Sequence, residues 1–197
     1  MFYRFAQVLV RFFLFLVFRI RVTGQENIPS SGAAILAVNH RSNWDVLVVG
    51  AKIPRKLRFM AKSEMFSNKL FSWILHHVGA FPIQRGKGDI GAIKGALTIL
   101  KQGEILLMFP EGKRIRDGAH VHAKTGVAML AVRGKVPVIP VSVVGKYHFR
   151  GRVALQIGKP VTFEAYYGQK LEPEKLQQLS DGILDNIRSL AGQEGSL

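Results

Sequence analysis

The stretch AAILAVNHRSNWDVLVVG, residues 33–50, decides the fold because it passes from a strand through a polar loop into a helix. Residues 33–38 form an unbroken apolar run, which is typical of a strand covered on both faces of its sheet. A helix pattern follows from Ser42 to Gly50, with Ser42 and Asp45 at capping-box spacing. His40 and Asp45 stand at this junction, although packing requires neither residue there.

Apolar runs and helical patterns alternate along the rest of the chain. They predict strands at 57–61, 80–83, 104–109, 136–145 and 152–158, and helices at 63–77, 89–102, 124–133 and 173–192. Such alternation predicts an α/β domain with a largely parallel, mixed sheet that is covered by helices. In these folds ligands bind beyond the carboxyl ends of strands. Asn39-His40, Gln84-Arg85 and Pro110-Glu111 each follow a strand, so the sequence predicts one shared site at that edge.

The N-terminal stretch MFYRFAQVLVRFFLFLVFRIRV is the most hydrophobic part of the chain. Polar residues interrupt it too often for a transmembrane helix, which needs roughly 20 apolar residues. Arg4, Gln7 and Arg11 fall on one stripe and leave a wide apolar face. This pattern predicts an amphipathic helix over residues 1–20 that lies in a membrane interface, with its arginines at the headgroups. The α/β domain would then cover 21–197.

Two other structures fit the N-terminal stretch, a core helix of the domain and a secretory signal. A signal is disfavoured because no small-residue cleavage site follows the apolar segment. The interfacial helix predicts a peripheral or monotopic protein at the cytoplasmic face of the cell membrane.

The chain is strongly basic and has no cysteine. It holds 28 Lys and Arg against 13 Asp and Glu, a formal net charge of +15. Such a surface favours anionic partners, namely lipid headgroups, phosphorylated substrates or nucleic acid. No recognition helix or RNA-binding motif is present in the sequence, so a nucleic-acid-binding module is a distant alternative. Disulfides, thiolate metal sites and a cysteine nucleophile are excluded, and the histidines suggest no metal site.

His40 and Asp45 suit the roles of a general base and its orienting carboxylate. With His40 in the loop and Asp45 one turn into the helix, the carboxylate would fix the tautomer and leave Nε2 free to accept a proton. The alternative is a capping Asp45 beside an unrelated histidine. The chain has no G-x-S-x-G or S-x-x-K motif, so the base would activate a hydroxyl or water of the substrate.

Arginines and a glutamate at the same edge suit a phosphorylated polyol. Arg85 leaves a strand just before a helix N-terminus and could hold an anion. The run Gly86-x-Gly88-x-x-Gly91 also matches a dinucleotide fingerprint, although it is not in the first βα unit. Glu111 could accept hydrogen bonds from a polyol, and the Arg114 guanidinium fits a phosphate. A solvated basic loop would explain the same charges.

Four short blocks occur in order along the chain: NHRSNWD at 39–45, GAFPIQR at 79–85, FPEGKRI at 109–115 and VPVIPV at 136–141. In this order they resemble the glycerolipid acyltransferases of the 1-acyl-sn-glycerol-3-phosphate type, which carry the motif N-H-x-x-x-x-D. The third block departs from the family at Lys113, where threonine is usual, and at Ile115, where serine is usual.

The resemblance implies transfer of a fatty acyl group from an acyl carrier protein or coenzyme A thioester. The acceptor would be the sn-2 hydroxyl of lysophosphatidic acid, and the product phosphatidic acid. His40 would be the general base and Asp45 its orienting acid. The implied substrate-binding residues are Lys62, Arg85, Glu111, Gly112, Arg114 and Lys124. The thioester would be a co-substrate, and no cofactor is implied.

Several points stay open at this stage. The acceptor could instead be glycerol-3-phosphate or another lysophospholipid, and a lipid carrier without catalysis would not need His40. The helix at 63–77 could line an acyl-chain groove or pack in the core. Backbone amides near 41–43 or 112–114 could stabilise the oxyanion of the reaction.

Overall fold

The computed structural model describes residues 2–84, 90–115 and 121–192. In these ranges seven strands are interleaved with six α-helices. The strands are β1 (Arg19–Thr23), β2 (Ala34–Val38), β3 (Leu57–Lys62), β4 (Ala80–Ile83), β5 (Ile105–Met108), β6 (Val138–Gly145) and β7 (Arg152–Ile157). The helices are α1 (Phe2–Val17), α2 (Trp44–Lys52), α3 (Lys69–His77), α4 (Ile90–Lys101), α5 (Gly126–Gly134) and α6 (Pro173–Gly192).

The strands form one mixed sheet in the order β1-β7-β6-β2-β5-β3-β4. The central pairs β6–β2, β2–β5, β5–β3 and β3–β4 are parallel. β7 runs antiparallel to β6, and β1 is parallel to β7, so these two strands reverse the direction of the sheet at one side. The predicted α/β class, with a largely parallel mixed sheet covered by helices, is confirmed.

The unbroken apolar run in β2 is explained by helices on both faces of the sheet. Ala34, Leu36 and Val38 belong to a cluster with residues of α1 and α2. Ile35 and Ala37 point to the other face and join a cluster with residues of α4, α5 and α6. Every side chain of the strand is therefore buried, and no polar residue is tolerated before Asn39.

The helix predicted at 63–77 is two segments. A 3₁₀ turn covers Ser63–Phe66, and α3 begins only after Asn68. The Asn68 Oδ1 accepts a hydrogen bond from the Phe71 amide at 3.0 Å, so this asparagine caps a new helix and ends the earlier turn. Beyond α3 the chain turns at Gly79, whose φ is +96° and where a Cβ would lie 2.2 Å from the Leu57 carbonyl oxygen. Only glycine fits there.

The N-terminal helix ends earlier than the sequence predicts. α1 stops at Val17, and Arg19–Thr23 forms the edge strand β1 instead of continuing the helix to residue 20. The reason is pairing, because Arg19 to Thr23 lie in register with Arg152 to Gln156 of β7. No helix in the described ranges is long and apolar enough to cross a membrane.

Two residues of the polar stripe of α1, Gln7 and Arg11, contact the protein, whereas Arg4 is exposed. The Gln7 Nε2 donates to the Gly50 and Ile53 carbonyls at 2.9 and 2.8 Å. The Arg11 guanidinium donates to the Ala51 carbonyl at 3.2 and 2.9 Å. These hydrogen bonds satisfy carbonyls at the end of α2 that have no partner within that helix. Arg11 is nonetheless exposed, and its contact with headgroups stays a prediction.

The opposite side of α1 is left uncovered. Its large apolar residues are 46% to 71% exposed, and we call this set the apolar face of α1: Phe5, Val8, Leu9, Phe12, Phe13, Phe15 and Leu16. Leu14, on the inward stripe, is fully buried. Phe2 extends this surface to α3, since its ring lies 4.9 Å from that of Trp73. The helix thus has a large exposed apolar face, unlike an ordinary surface helix.

Candidate active site

The predicted site residues gather where neighbouring parallel strands end. His40 follows β2, Glu111 follows the adjacent strand β5, and Lys62 closes β3 on the far side of β5. Because parallel strands present their carboxyl ends at one edge, these residues share that edge. Arg85 follows β4, the next strand, but it lies outside the described residues, as do Gly86 and Gly88 of the dinucleotide fingerprint.

His40 and Asp45 are in direct contact. The His40 Nδ1 lies 3.1 Å from the Asp45 Oδ2, with the Asp45 side chain buried and that of His40 12% exposed. A carboxylate only accepts hydrogen bonds, so Nδ1 carries the proton in the neutral imidazole and Nε2 holds a free lone pair. This is the arrangement that a general base needs.

The Asp45 carboxylate also organises the loop that carries His40. Its Oδ2 accepts from the Arg41 and Ser42 amides, each at 2.7 Å. The Ser42 hydroxyl accepts from the Trp44 amide at 3.3 Å, so this segment resembles a capping box at the start of α2. The sequence offered capping and orientation as alternatives, and the structure shows that one carboxylate does both.

Tyr147 is a member of the site that the sequence analysis missed. Its hydroxyl donates to the Asp45 Oδ1 at 2.7 Å, on the side of the carboxylate away from His40. Burial, followed by the nearby Asp45 charge, raises the pKa of the Tyr147 phenol, which keeps it a proton donor. The signal was available, because Tyr147 follows β6 at the same edge of the sheet, just as His40 follows β2.

Asn39 locks the end of β2 to the neighbouring strand. Its side-chain Nδ2 donates to the Val143 carbonyl at 2.9 Å, and its Oδ1 accepts from the Val143 amide at 2.7 Å. The amide side chain thus replaces a backbone partner for β6 at the point where β2 leaves the sheet. The asparagine before His40 therefore fixes where the imidazole begins.

The loop after β5 holds His40 from three directions. The Phe109 ring stacks on the imidazole with centroids 4.0 Å apart. The His40 amide donates to the Glu111 Oε2 at 3.0 Å, and the His40 carbonyl accepts from the Ile115 amide at 2.8 Å. The first and third sequence blocks therefore form one unit. Ile115 takes part through its backbone, so the unusual side chain at this position does not alter the contact.

Glu111 is buried, and burial raises the pKa of its carboxyl above the usual value. Hydrogen bonds from its own amide and from the His40 amide act in the opposite direction. Since one oxygen is engaged by the His40 backbone, the carboxylate positions the base loop whether or not it also contacts a substrate.

The cationic candidates lie around this loop with their side chains exposed. Lys62, Lys113, Arg114 and Lys124 are all accessible to solvent. The Lys124 amide donates to the Pro110 carbonyl at 2.7 Å. Gly112 has a φ of +68°, and a Cβ there would stand 3.0 Å from the Lys124 Cγ. Gly112 therefore lets the lysine stem lie against the loop.

The amides expected to stabilise an oxyanion are partly occupied. Those of Arg41 and Ser42 donate to Asp45, and that of Gly112 donates to the Phe109 carbonyl at 3.0 Å. Within the described part of the chain, no group of three or more His, Asp or Glu residues is arranged to hold a metal. The described geometry provides a buried, oriented imidazole beside exposed cations, which suits deprotonation of a phosphorylated alcohol.

Comparison with known proteins agrees with this chemistry. The family model described as Acyltransferase matches residues 19–144, from the start of β1 to the residue before the end of β6. The chain belongs to the acyltransferase family. It is an enzyme of the α/β type, and its four blocks all lie within the matched region or at its limits.

Relatives of this acyltransferase cover most of its length. A protein of Bacillus subtilis named 1-acyl-sn-glycerol-3-phosphate acyltransferase is 29% identical over 194 residues, which are 95% of this chain and 96% of that protein. One of the same name from Streptococcus pneumoniae is 32% identical over 163 residues, 79% of this chain but only 60% of that protein.

A solved structure shares the fold of the acyltransferase. The crystal structure of the 1-acyl-sn-glycerophosphate (LPA) acyltransferase PlsC from Thermotoga maritima superposes with a TM-score of 0.73 at 24% sequence identity. The match covers 98% of this chain and 82% of that one. This similarity confirms the fold, including the mixed sheet.

Proposed function

We propose that this acyltransferase moves a fatty acyl group from a thioester to the sn-2 hydroxyl of 1-acyl-glycerol-3-phosphate and produces phosphatidic acid. The observation that carries the proposal is the His40–Asp45 pair, 3.1 Å apart at the strand edge, beside exposed Arg114 and Lys124. The names of the relatives support this acceptor over glycerol-3-phosphate or another lysophospholipid. The donor is an acyl carrier protein or coenzyme A thioester.

In the proposed reaction His40 Nε2 removes the proton from the sn-2 hydroxyl while the oxygen attacks the thioester carbonyl. Asp45 stabilises the resulting imidazolium through Nδ1. The tetrahedral intermediate then collapses, its C–S bond breaks, and the departing sulfur takes the proton from the imidazolium. The products are an ester and a free thiol, and the imidazole returns to its starting state.

The phosphate of the acceptor requires cations at a fixed distance from the base. We assign this role to Arg114, Lys62 and Lys124, together with Arg85, which the family resemblance adds. Arg114 can bind a phosphate through two parallel N–H groups, whereas the lysines act as point charges. Gly112 allows close approach of the acceptor to the loop, and the free oxygen of Glu111 is available to the glycerol.

We further propose that the enzyme works at the cytoplasmic face of the cell membrane as a peripheral or monotopic protein. The support is the apolar face of α1, which continues onto exposed Leu70, Phe71 and Trp73 of α3. Burying one such side chain in lipid gains about 1.5–3 kcal/mol. The acyl chains of both substrates lie in the same bilayer, and the groove beside α3 is the proposed path for one of them.

The test incubates the purified full-length protein with labelled lysolipids, glycerol-3-phosphate and each thioester, and then separates the products. We expect phosphatidic acid from lysophosphatidic acid, and loss of at least a thousandfold in kcat for His40→Ala, as for other removed bases. His122→Ala is a matched control, because His122 also lies 3.1 Å from an aspartate, Asp181, but is 88% exposed. Normal turnover by His40→Ala would refute the mechanism, and a different sole acceptor would refute the substrate.

A further inference from the structure

A second cationic site lies beside the turn that joins α1 to β1. A cavity of about 600 Å³ is lined there by residues of α1, β1, β7 and the segment before β7, and by the last residue of α2. Five of its lining residues are basic and none is acidic: Arg19, Arg21, Lys52, Arg150 and Arg152. In the described ranges, no ion pair joins any of these five to a carboxylate.

The sheet holds two of these cations side by side. Arg19 of β1 is in register with Arg152 of β7, and neighbouring strands lie about 4.8 Å apart, so both side chains leave one face of the sheet at adjacent positions. This face is opposite to the one on which Ile20 and Val153 pack in the cluster with α1, and both arginines line the cavity at the exposed edge of the sheet. Arg21 follows on that face two residues along β1. Like charges directly opposite each other on a sheet are destabilising. The arrangement therefore favours an anion between them.

The remaining two cations, Lys52 and Arg150, line the cavity from the end of α2 and from the segment before β7. Arg150 has a φ of 60°, in the left-handed region that favours glycine, and its amide donates to the Val17 carbonyl at the end of α1. Lys52 ends α2, and its pKa is lowered by burial and by the charge of Arg11. Both positions concentrate positive charge that nothing in the described structure neutralises.

We propose that this cavity binds the phosphate of an anionic phospholipid whose acyl chains lie along the apolar face of α1. Phe15 connects the two parts, because it lines the cavity and is also 71% exposed on that face. Free phosphate would use the cations but would not contact Phe15, so the geometry favours a lipid. The inference rests on the proposed membrane location.

This lipid site is separate from the proposed substrate site. Arg114 and Lys124 follow β5, whereas the cavity lies at β1 and β7 on the other side of β2. Four strand spacings separate β1 from β5 in the sheet, about 19 Å. A lipid phosphate bound between Arg19 and Arg152 would therefore leave the substrate site free. Phe18 of the cavity contacts Tyr147, with ring centroids 5.4 Å apart.

The test compares Arg19→Gln/Arg152→Gln with a control that loses the same charge elsewhere. Lys101→Gln/Arg133→Gln is suitable, because both residues are exposed at the ends of α4 and α5, helices that cover the opposite face of the sheet from α1. Binding to phosphatidylcholine vesicles containing phosphatidylglycerol is measured by co-sedimentation. We expect about tenfold or greater loss for the cavity variant and less than about twofold for the control.

Four further measurements make the result decisive. Arg19→Lys/Arg152→Lys should retain binding, and all variants should keep wild-type turnover of acceptor in neutral detergent micelles. Equal loss in both charge variants, or no loss in the cavity variant, would overturn the proposal. Release of the protein from the vesicles by inorganic phosphate at the same concentration as the phosphatidylglycerol would overturn the lipid assignment. So would a loss of binding to a soluble RNA, in the cavity variant, that is larger than its loss of binding to vesicles. Because binding is read without turnover, failure of the proposed reaction would not mimic these outcomes.

Discussion

At the scale of single residues, the sequence predicted the contact between His40 and Asp45 but not the contact between Asp45 and Tyr147. His40 and Asp45 are separated by five residues, so the loop and first helical turn define their geometry locally. Tyr147 is 102 residues from Asp45, and only the order of strands in the sheet brings the two together. The sequence shows that Tyr147 follows a predicted strand, but its contact with Asp45 depends on the order of the strands in the sheet.

Tyr147 gives the sharpest prediction at this scale. Tyr147→Phe removes the hydroxyl that donates to Asp45 and leaves the ring, which packs 5.4 Å from Phe18. We expect kcat to fall about tenfold, the equivalent of one charged hydrogen bond at about 1.5 kcal/mol, with KM unchanged for both substrates. Initial-rate kinetics check this, with Tyr167→Phe as the control. A rise in KM with constant kcat would show that Tyr147 binds substrate instead of positioning the acid.

At the scale of elements, the helix and strand pattern was largely readable, while the orientation of α1 was not. Periodicity showed that Gln7 and Arg11 share a stripe, but a helical repeat does not say which side faces the protein. The carbonyls at the end of α2 decide it, because they need donors and the side chains of α1 supply them. The large apolar side chains on the opposite side of α1 are therefore left exposed.

The exposed apolar face of α1 predicts binding to neutral membranes through apolar contact alone. Leu9→Gln/Phe12→Gln keeps good helix formers while removing two exposed apolar side chains. We expect partition into neutral phosphatidylcholine vesicles to fall at least about a hundredfold, since each side chain contributes about 1.5–3 kcal/mol. Thermal unfolding in solution should hardly change. Ile90→Gln is the control, because Ile90 is 67% exposed on α4; equal losses in both variants would contradict an α1-specific contact.

At the scale of the whole molecule, alternating strands and helices were enough to predict the class but not the sheet order. β7 was expected only as a further strand, and its antiparallel pairing with β6 lets β1 join as a reversed edge. Nothing in residues 19–23 alone distinguishes a helix end from an edge strand, since the alternation of arginine and apolar residues covers only five positions. The partner strand makes the choice.

Stability of the whole chain should reflect the buried Glu111. Its carboxyl has a pKa raised above 4.5 in the folded state, so the folded chain holds this proton more tightly than the unfolded chain does. The contribution of Glu111 to stability therefore falls as pH rises from about 4.5 through its folded pKa. Glu111→Gln removes this dependence and keeps an acceptor for the His40 amide.

We expect Glu111→Gln to be more stable relative to wild type at pH 7.5 than at pH 4.5. Urea unfolding at both pH values gives the two free-energy differences, and taking the difference between variant and wild type cancels other groups that titrate. If the stability of Glu111→Gln relative to wild type stays constant, or decreases as pH rises, burial does not raise the pKa of the Glu111 carboxyl as described. Glu104→Gln serves as control, because Glu104 lies on the surface beside Arg58.

The hydrogen bonds between α1 and the end of α2 have a consequence for the position of His40 relative to the membrane. Asp45 occupies the first turn of α2, and the carbonyls held by Gln7 and Arg11 belong to its last turn and the residue that follows. The nine-residue helix α2, about 13.5 Å long, thus connects α1, which we propose to lie on the membrane, with Asp45, which contacts the imidazole. On the proposed bilayer, the length of α2 would fix the depth of His40 relative to the lipid surface and place the base at the level of the acceptor hydroxyls.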